Sequence, residues 1–222
     1  MIIKLTDFVV NLTDIENPKL RKTGTTTVGL VCRDGVVLAA DKKATFGNLI
    51  ASKDTDKIYP LDEHIAMTIA GLSGDAQALV RYMSAELKLF SIENKRKISV
   101  KGAATLLSNI LHGNKYYPFY VQLIVAGFDS SGPAIFDLDP VGGTEQEKKF
   151  FSTGSGSPMV FGVMEDSYRE NMSIEDAVKL AVRAVKAATE RDTASGGHAI
   201  DVVTITKSGM KSSRFDLDKI GK

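Results

Sequence analysis

From Thr26 onward the apolar and polar positions fall into short, regular runs. Thr26-Thr27-Val28-Gly29-Leu30-Val31-Cys32 and Val36-Val37-Leu38-Ala39-Ala40-Asp41 flank Arg33-Asp34-Gly35, and an Asp-Gly pair between two such runs predicts a hairpin. Residues 65–70 read as a further strand. The period then lengthens. Ala76, Leu79, Val80, Met83, Leu87 and Phe90 recur every three or four residues, which predicts a helix with Asp75 at its N-cap. Val100, Ala103, Ala104, Leu107 and Leu111 predict a second helix over 99–111. Strands return at 121–127 and 134–137, joined by the turn-rich Asp129-Ser130-Ser131-Gly132-Pro133. A helix is expected to start at Ser157-Pro158, where proline suits a first turn. A long one follows from Ser173, with Asp176 at the capping-box position and Ala177, Leu180, Ala181, Ala184, Val185 and Ala188 on one face. The last strands are 200–206 and 210–215.

Clustered strands and clustered helices predict an α+β protein with antiparallel sheets. No internal repeat or linker divides the run. The first two dozen residues differ: they end in the polar, basic stretch Glu16-Asn17-Pro18-Lys19-Leu20-Arg21-Lys22 and show no period. Exposed termini of this kind are where proteolytic processing occurs.

Composition narrows the function classes. Of 222 residues, 43% are hydrophobic and 25% charged, the profile of a soluble globular chain. Lys plus Arg is 28 against 27 for Asp plus Glu, so nothing favours a nucleic-acid or membrane-surface partner. The N-terminus lacks the apolar core of roughly 7–15 residues that a secretory signal carries. No segment approaches the roughly 18 apolar residues of a membrane span. The single cysteine, Cys32, cannot form an internal disulfide and reads as a small buried hydrophobe. A cytoplasmic protein is expected.

Familiar catalytic motifs are missing. His64, His112 and His198 stand apart, with no HExxH, no CxxC and no phosphate loop, and Gly154-Ser155-Gly156-Ser157 matches neither GxGxxG nor GxSxG. A hydrolase here needs a base other than histidine, and neither metal nor cofactor is expected. An N-terminal threonine is one solution, because its free α-amine can take the proton of its own hydroxyl. That amine has a reference pKa of about 7.7–8.0, so a nearby cation leaves much of it neutral at working pH. Such an enzyme is made as a precursor, since an amine inside a peptide bond is no base. Lys22-Thr23-Gly24-Thr25-Thr26-Thr27-Val28-Gly29 has the form of a flexible junction opening a strand. Taken alone, a Thr-rich segment usually just marks a strand.

Further segments alter that balance. They are Ala39-Ala40-Asp41-Lys42-Lys43, Lys57-Ile58-Tyr59, Met67-Thr68-Ile69-Ala70-Gly71 with Gly74-Asp75-Ala76-Gln77, and Ala104-Thr105-Leu106-Leu107-Ser108-Asn109. Ser152-Thr153-Gly154-Ser155-Gly156-Ser157-Pro158 and Arg191-Asp192-Thr193-Ala194-Ser195-Gly196-Gly197 follow. With the threonine junction, in this order, they resemble the archaeal-type proteasome β-subunit family from Gly24 to about Thr206. The resemblance implies a four-layer αββα sandwich, the N-terminal nucleophile hydrolase fold. It implies residues 1–24 as a propeptide and 25–222 as one catalytic domain, with autocatalytic cleavage between Gly24 and Thr25.

Residue by residue, Thr25 matches the nucleophile and Lys57 the lysine beside its hydroxyl. Asp41 matches the carboxylate partner of Lys57, and Ser155, Asp192 and Ser195 the polar group around the α-amine. The backbone N–H of Gly71 matches the oxyanion donor. Ala44, Thr55, Tyr59, Ile69, Ser73 and Gln77 match the pocket for the side chain before the cut; none is charged, so cleavage after large hydrophobic residues is expected. The implied partners are seven-membered β-rings stacked with α-subunit rings, a regulatory ATPase acting through the α-rings, and protein substrates, with no nucleic acid and no membrane. Three other readings stay open on the residues alone: another N-terminal nucleophile hydrolase, a ring subunit that never matures, and a phosphate-binding module using the Gly-Ser loop. Without the resemblance, the plainer readings are favoured: Asp192 and Ser195 as a turn after a helix, Ser155 as a helix start and Asp41 as a strand end. A lone Lys57 on a core-facing strand is different, because burying it without a partner is costly.

Overall fold

Alternation along each strand sends successive side chains to different layers, and that builds the protein. The computed structural model describes residues 24–220. Residues 1–23, nearly all of the expected propeptide, and 221–222 lie outside the described residues. The predicted hairpin is β1 (Thr27–Cys32) and β2 (Gly35–Asp41), in register from Thr27 opposite Ala40 to Cys32 opposite Gly35. A short ribbon, β3 (Ala44–Phe46) and β4 (Leu49–Ser52), precedes β5 (Ile58–Asp62) and β6 (Ile65–Gly71). Helices α1 (Ser73–Asn94) and α2 (Val100–Gly113) follow, then β7 (Val121–Asp129), β8 (Gly132–Leu138), β9 (Thr144–Glu147) and β10 (Phe150–Thr153). Helices α3 (Ser157–Ser167) and α4 (Ile174–Thr189) lead to β11 (Ala199–Thr206) and β12 (Gly209–Asp216).

The strands form two antiparallel five-stranded sheets, ordered β10-β1-β2-β11-β12 and β5-β6-β7-β8-β9. Even-numbered residues of the first sheet, Val28, Leu30, Ile200 and Val202, pack with Ala177, Ala181, Ala184 and Val185 of α4. In β2 the parity is reversed, so Val37 and Ala39 join this layer. The opposite faces, Val36, Leu38, Val203 and Ile205, meet Ala66, Ile124, Ala126 and Ile135 of the second sheet. Outer-face residues of that sheet, Met67, Leu123, Val125 and Phe136, pack with Leu79, Met83, Leu107 and Leu111 of α1 and α2. Three apolar layers thus separate helices, sheet, sheet and helices, which is the expected four-layer αββα sandwich. Each fully buried Leu or Val in them contributes about 1.5–3 kcal/mol. Gly29 allows close approach of the sheets, since a Cβ there would lie 3.1 Å from Ile124 and Leu38.

The helix signals hold with one correction. Ser99 caps α2 by accepting from the Gly102 amide, and Ser173 caps α4 by accepting from the Asp176 amide. Helix α1 instead starts two residues before Asp75, with Leu72 at its cap and no side-chain cap bond. The Asp75 carboxylate accepts the Tyr120 amide at 2.7 Å, so a tertiary contact takes the group that the local pattern assigned to capping. Among the described residues no helix is long and apolar enough to cross a membrane.

Candidate active site

Thr25 stands two residues before Thr27 and shares its parity, which faces the second sheet. There the Thr27 hydroxyl meets those of Thr68 at 3.0 Å and Thr153 at 2.7 Å, closing the end of the inter-sheet layer with polar groups. Thr25 is buried, and its Oγ1 donates to the Gly24 carbonyl at 2.7 Å. The Lys57 ammonium donates to the same oxygen at 3.4 Å and to Asp41 Oδ1 at 2.7 Å. Lys57 immediately precedes β5, and its carbonyl accepts the Ile69 amide from β6, which holds it in line with the sheet. A Cβ on Gly24 would fall 1.8 Å from that of Ala194, so only glycine fits before Thr25.

Asp41 is fully buried at the end of β2. Its Oδ1 also accepts the Thr26 amide at 2.8 Å, and Oδ2 accepts the amides of Gly196 at 2.8 Å and Lys43 at 3.2 Å. All four partners are donors, which suits an acceptor-only carboxylate. Burial pulls the Lys57 ammonium below its ordinary pKa of 10.5, and the Asp41 charge opposes that pull. The pair meets the two conditions for a tolerable buried ion pair: close geometry and filled lone pairs.

A second network lies behind the Thr25 nitrogen, which donates to Ser155 Oγ at 3.3 Å. Ser155 donates to Asp192 Oδ2 at 2.6 Å, and Ser195 donates to the same oxygen at 2.5 Å. With its hydrogen committed there, Ser195 Oγ accepts from Thr26 Oγ1 at 2.6 Å. Asp192 also holds an Asx turn, accepting the Ala194 amide, so the turn and the site geometry coexist. Ser155 sits in the Gly154-Ser155-Gly156 turn. Gly154 has φ +93° and room for no Cβ, which would lie 2.1 Å from the Thr25 carbonyl oxygen.

A cavity of about 410 Å³ opens beside Thr25, Lys57 and Gly71. Of the positions expected to line the pocket, Ala44, Thr55, Tyr59, Ile69 and Ser73 do so; Gln77, on the next turn of α1, does not. Phe46 and Ala51 of the ribbon add apolar wall, and Asp56 and Asp75 also border it. Gly71 has φ +141° at the end of β6 and further borders a second cavity of about 390 Å³ with Gly154 and Ser155. A further cavity of about 620 Å³ is at the far end of the sheets around His64 and Lys207 and contains none of the expected residues.

The proteasome subunit family model matches residues 21–205. The chain belongs to the proteasome subunit family. Curated relatives named proteasome subunit beta include one from Methanosarcina mazei, 50% identical over 206 residues, covering 93% of this chain and 96% of its own. That of Methanocaldococcus vulcanius is 54% identical over 189 residues, covering 85% and 84%. That of Methanohalophilus mahii is 53% identical over 207 residues, covering 93% and 98%. The family resemblance is thus to archaeal-type β-subunits, and it spans the whole sandwich up to β11.

Three residues of this family member escaped the sequence reading. Thr26 ties the two networks together, its amide on Asp41 and its hydroxyl on Ser195. Lys43 Nζ holds the carbonyls of Thr193 at 2.6 Å and Ser195 at 3.3 Å. Lys42 is buried among three aspartates. The adjacency of Lys42 and Lys43 to Asp41 was the available signal, since neither charge suits a strand end in a core.

Proposed function

We propose that the chain is the catalytic β-subunit of a proteasome core particle, a threonine endopeptidase with Thr25 as nucleophile. The observation that carries this is the convergence of the Thr25 hydroxyl and Lys57 ammonium on the Gly24 carbonyl, with Asp41 behind Lys57. Cleavage after Gly24 removes residues 1–24 as a propeptide. In that step Thr25 Oγ1 attacks the Gly24 carbonyl carbon, the acyl group passes from nitrogen to oxygen, and water hydrolyses the ester. The freed α-amine then takes the hydroxyl proton for each new attack.

In turnover, Thr25 Oγ1 adds to the substrate carbonyl, and the proton it gives up goes to the leaving amine by way of the α-amine. The acyl ester is released by water. Lys57 contributes a fixed positive charge that eases loss of the hydroxyl proton, and Asp41 holds it in place. Ser155, with Asp192 and Ser195 behind it, orients the amine. The Gly71 N–H serves as oxyanion donor, a contribution commonly worth about 2.7–4 kcal/mol. Ile69, Ala44 and Phe46 favour a large apolar side chain before the cut, a preference supported by the tie-up of Asp56 and Asp75 in other contacts. Assembly follows the family: β-rings of seven with α-rings outside them, a regulatory ATPase acting through the α-rings, and unfolded protein as substrate.

The test is a pair of substitutions in particles assembled with the α-subunit. Thr25→Ser keeps a hydroxyl and is expected to retain measurable peptidase activity; Thr25→Ala is expected to have none. An active Thr25→Ala variant overturns the assignment.

A further inference from the structure

Lys42 neighbours Asp41 in sequence but belongs to a different cluster. It is 1% exposed, the largest of the fully buried side chains among the described residues. Its Nζ lies 2.7 Å from Asp56, 2.7 Å from Asp201 and 3.0 Å from Asp54. Burial alone would pull its pKa down, but the three carboxylates outweigh that and hold the ammonium above its ordinary value. Asp201 belongs to β11 and is braced by Arg214 of β12 at 2.7 Å. Asp54 and Asp56 belong to the segment 53–57 between β4 and β5, which has no regular secondary structure.

That segment delivers Thr55 to the cavity wall and Lys57 to Gly24 and Asp41. Its backbone is tied to the first sheet at few points. The Thr55 amide donates to the Lys42 carbonyl at 2.9 Å, and the His198 amide to that of Lys53 at 3.2 Å. The rest of the attachment is ionic: Lys57 pairs with Asp41, Arg214 lies 3.6 Å from Asp54, and Lys42 holds both Asp54 and Asp56. Without Lys42, three carboxylates would face one another with Arg214 alone to offset them.

We propose that Lys42 is a positioning residue, clamping segment 53–57 against β11 so that Lys57 meets Asp41 and the cavity keeps its wall. The proposal rests on the reading of Thr25 and Lys57 given above. It carries a second consequence, because Asp56 borders the cavity and Lys42 offsets its charge. Losing Lys42 both loosens the segment and leaves the cavity more negative.

The experiment uses the full chain assembled with its α-subunit. In Lys42→Met, kcat for a peptide ending in Leu is expected to fall about tenfold or more, because small misplacements of a catalytic group carry large penalties. Cleavage after Arg relative to Leu is expected to rise, and hydrogen exchange over 53–58 to quicken. Lys42→Arg, which keeps the charge, is expected to recover most of the rate. Parent-like rates in Lys42→Met overturn the proposal, and so does a slower rate with unchanged exchange over 53–58. Should Lys42→Met not assemble, Asp201→Asn takes its place: a smaller rate loss with faster exchange supports the clamp, and parent-like behaviour overturns it. The exchange measurement is repeated in a Thr25→Ala background, where it still tests the clamp. Failure of the nucleophile assignment is read separately, from peptidase activity in Thr25→Ala itself.

Discussion

Asp41→Asn tests the ion pair at the centre of the site. Asparagine keeps the size of the side chain and one carbonyl acceptor. Its NH2 must face either the Lys57–Thr26 donors or the Gly196–Lys43 donors, all of which now bond to carboxylate oxygen. Removing one partner of a buried ion pair costs about 3–5 kcal/mol while the other stays charged. Lys57 has an escape, which is to lose its proton. Burial already holds it below 10.5, and without Asp41 it falls further. That escape limits the loss, so a value at the lower end of that range, about 3 kcal/mol, is expected. The neutral amine no longer supplies the positive charge beside Thr25, and kcat is expected to fall about 100-fold or more.

The sign with pH follows from the same shift. A depressed lysine pKa means that the unfolded chain binds more protons than the folded one between the depressed value and 10.5. The contribution of Lys57 to stability therefore rises with pH across that window, while the active cation is lost there. The alkaline limb of kcat is expected below 10.5, and lower still in Asp41→Asn. Urea titration, kcat against pH and propeptide processing read these effects together. An Asp41→Asn particle with parent-like kcat, alkaline limb and urea midpoint refutes the reasoning.

Other outcomes are specific to single groups. Fluorogenic peptides ending in Tyr or Leu are expected to be cut faster than those ending in Arg or Glu; the reverse order removes the apolar reading of the cavity. Thr26→Val deletes the hydroxyl that donates to Ser195 while keeping shape, and a loss of about 1 kcal/mol, roughly fivefold in kcat, is expected in steady-state assays. Gly24→Ala places a methyl group against Ala194, so mass spectrometry is expected to find the propeptide retained.

Much of the sandwich was legible because its strands are buried on both faces and bounded by clear turns. Asp34-Gly35 fixed the first hairpin, and the apolar faces of α2 and α4 are the predicted residues. The missed strands have physical reasons. β9 is four polar residues at a sheet edge, without alternation, and β10 is only four residues long. The β3–β4 ribbon exposes Leu49 and Ile50, so it lacks a buried face, although Gly47 at φ +59° was a usable turn signal. At the site, Lys57 was legible because a lone lysine in a core needs a partner, and Asp41 is that partner here. The Lys42 cluster was not, because Asp201 reaches Lys42 only when β11 pairs with β2, and Asp54 and Asp56 only when segment 53–57 lies against that sheet. The requirement for glycine at 24 and 154 depends on the approach of Ala194 and Thr25, which no local pattern encodes.

The most direct test of Thr25 as nucleophile is the intact mass of this chain in the assembled particle. The parent is expected to have lost residues 1–24 and to begin at Thr25, whereas Thr25→Ala retains them and hydrolyses no peptide. A peptidase-active parent particle whose chain still carries residues 1–24 contradicts the account.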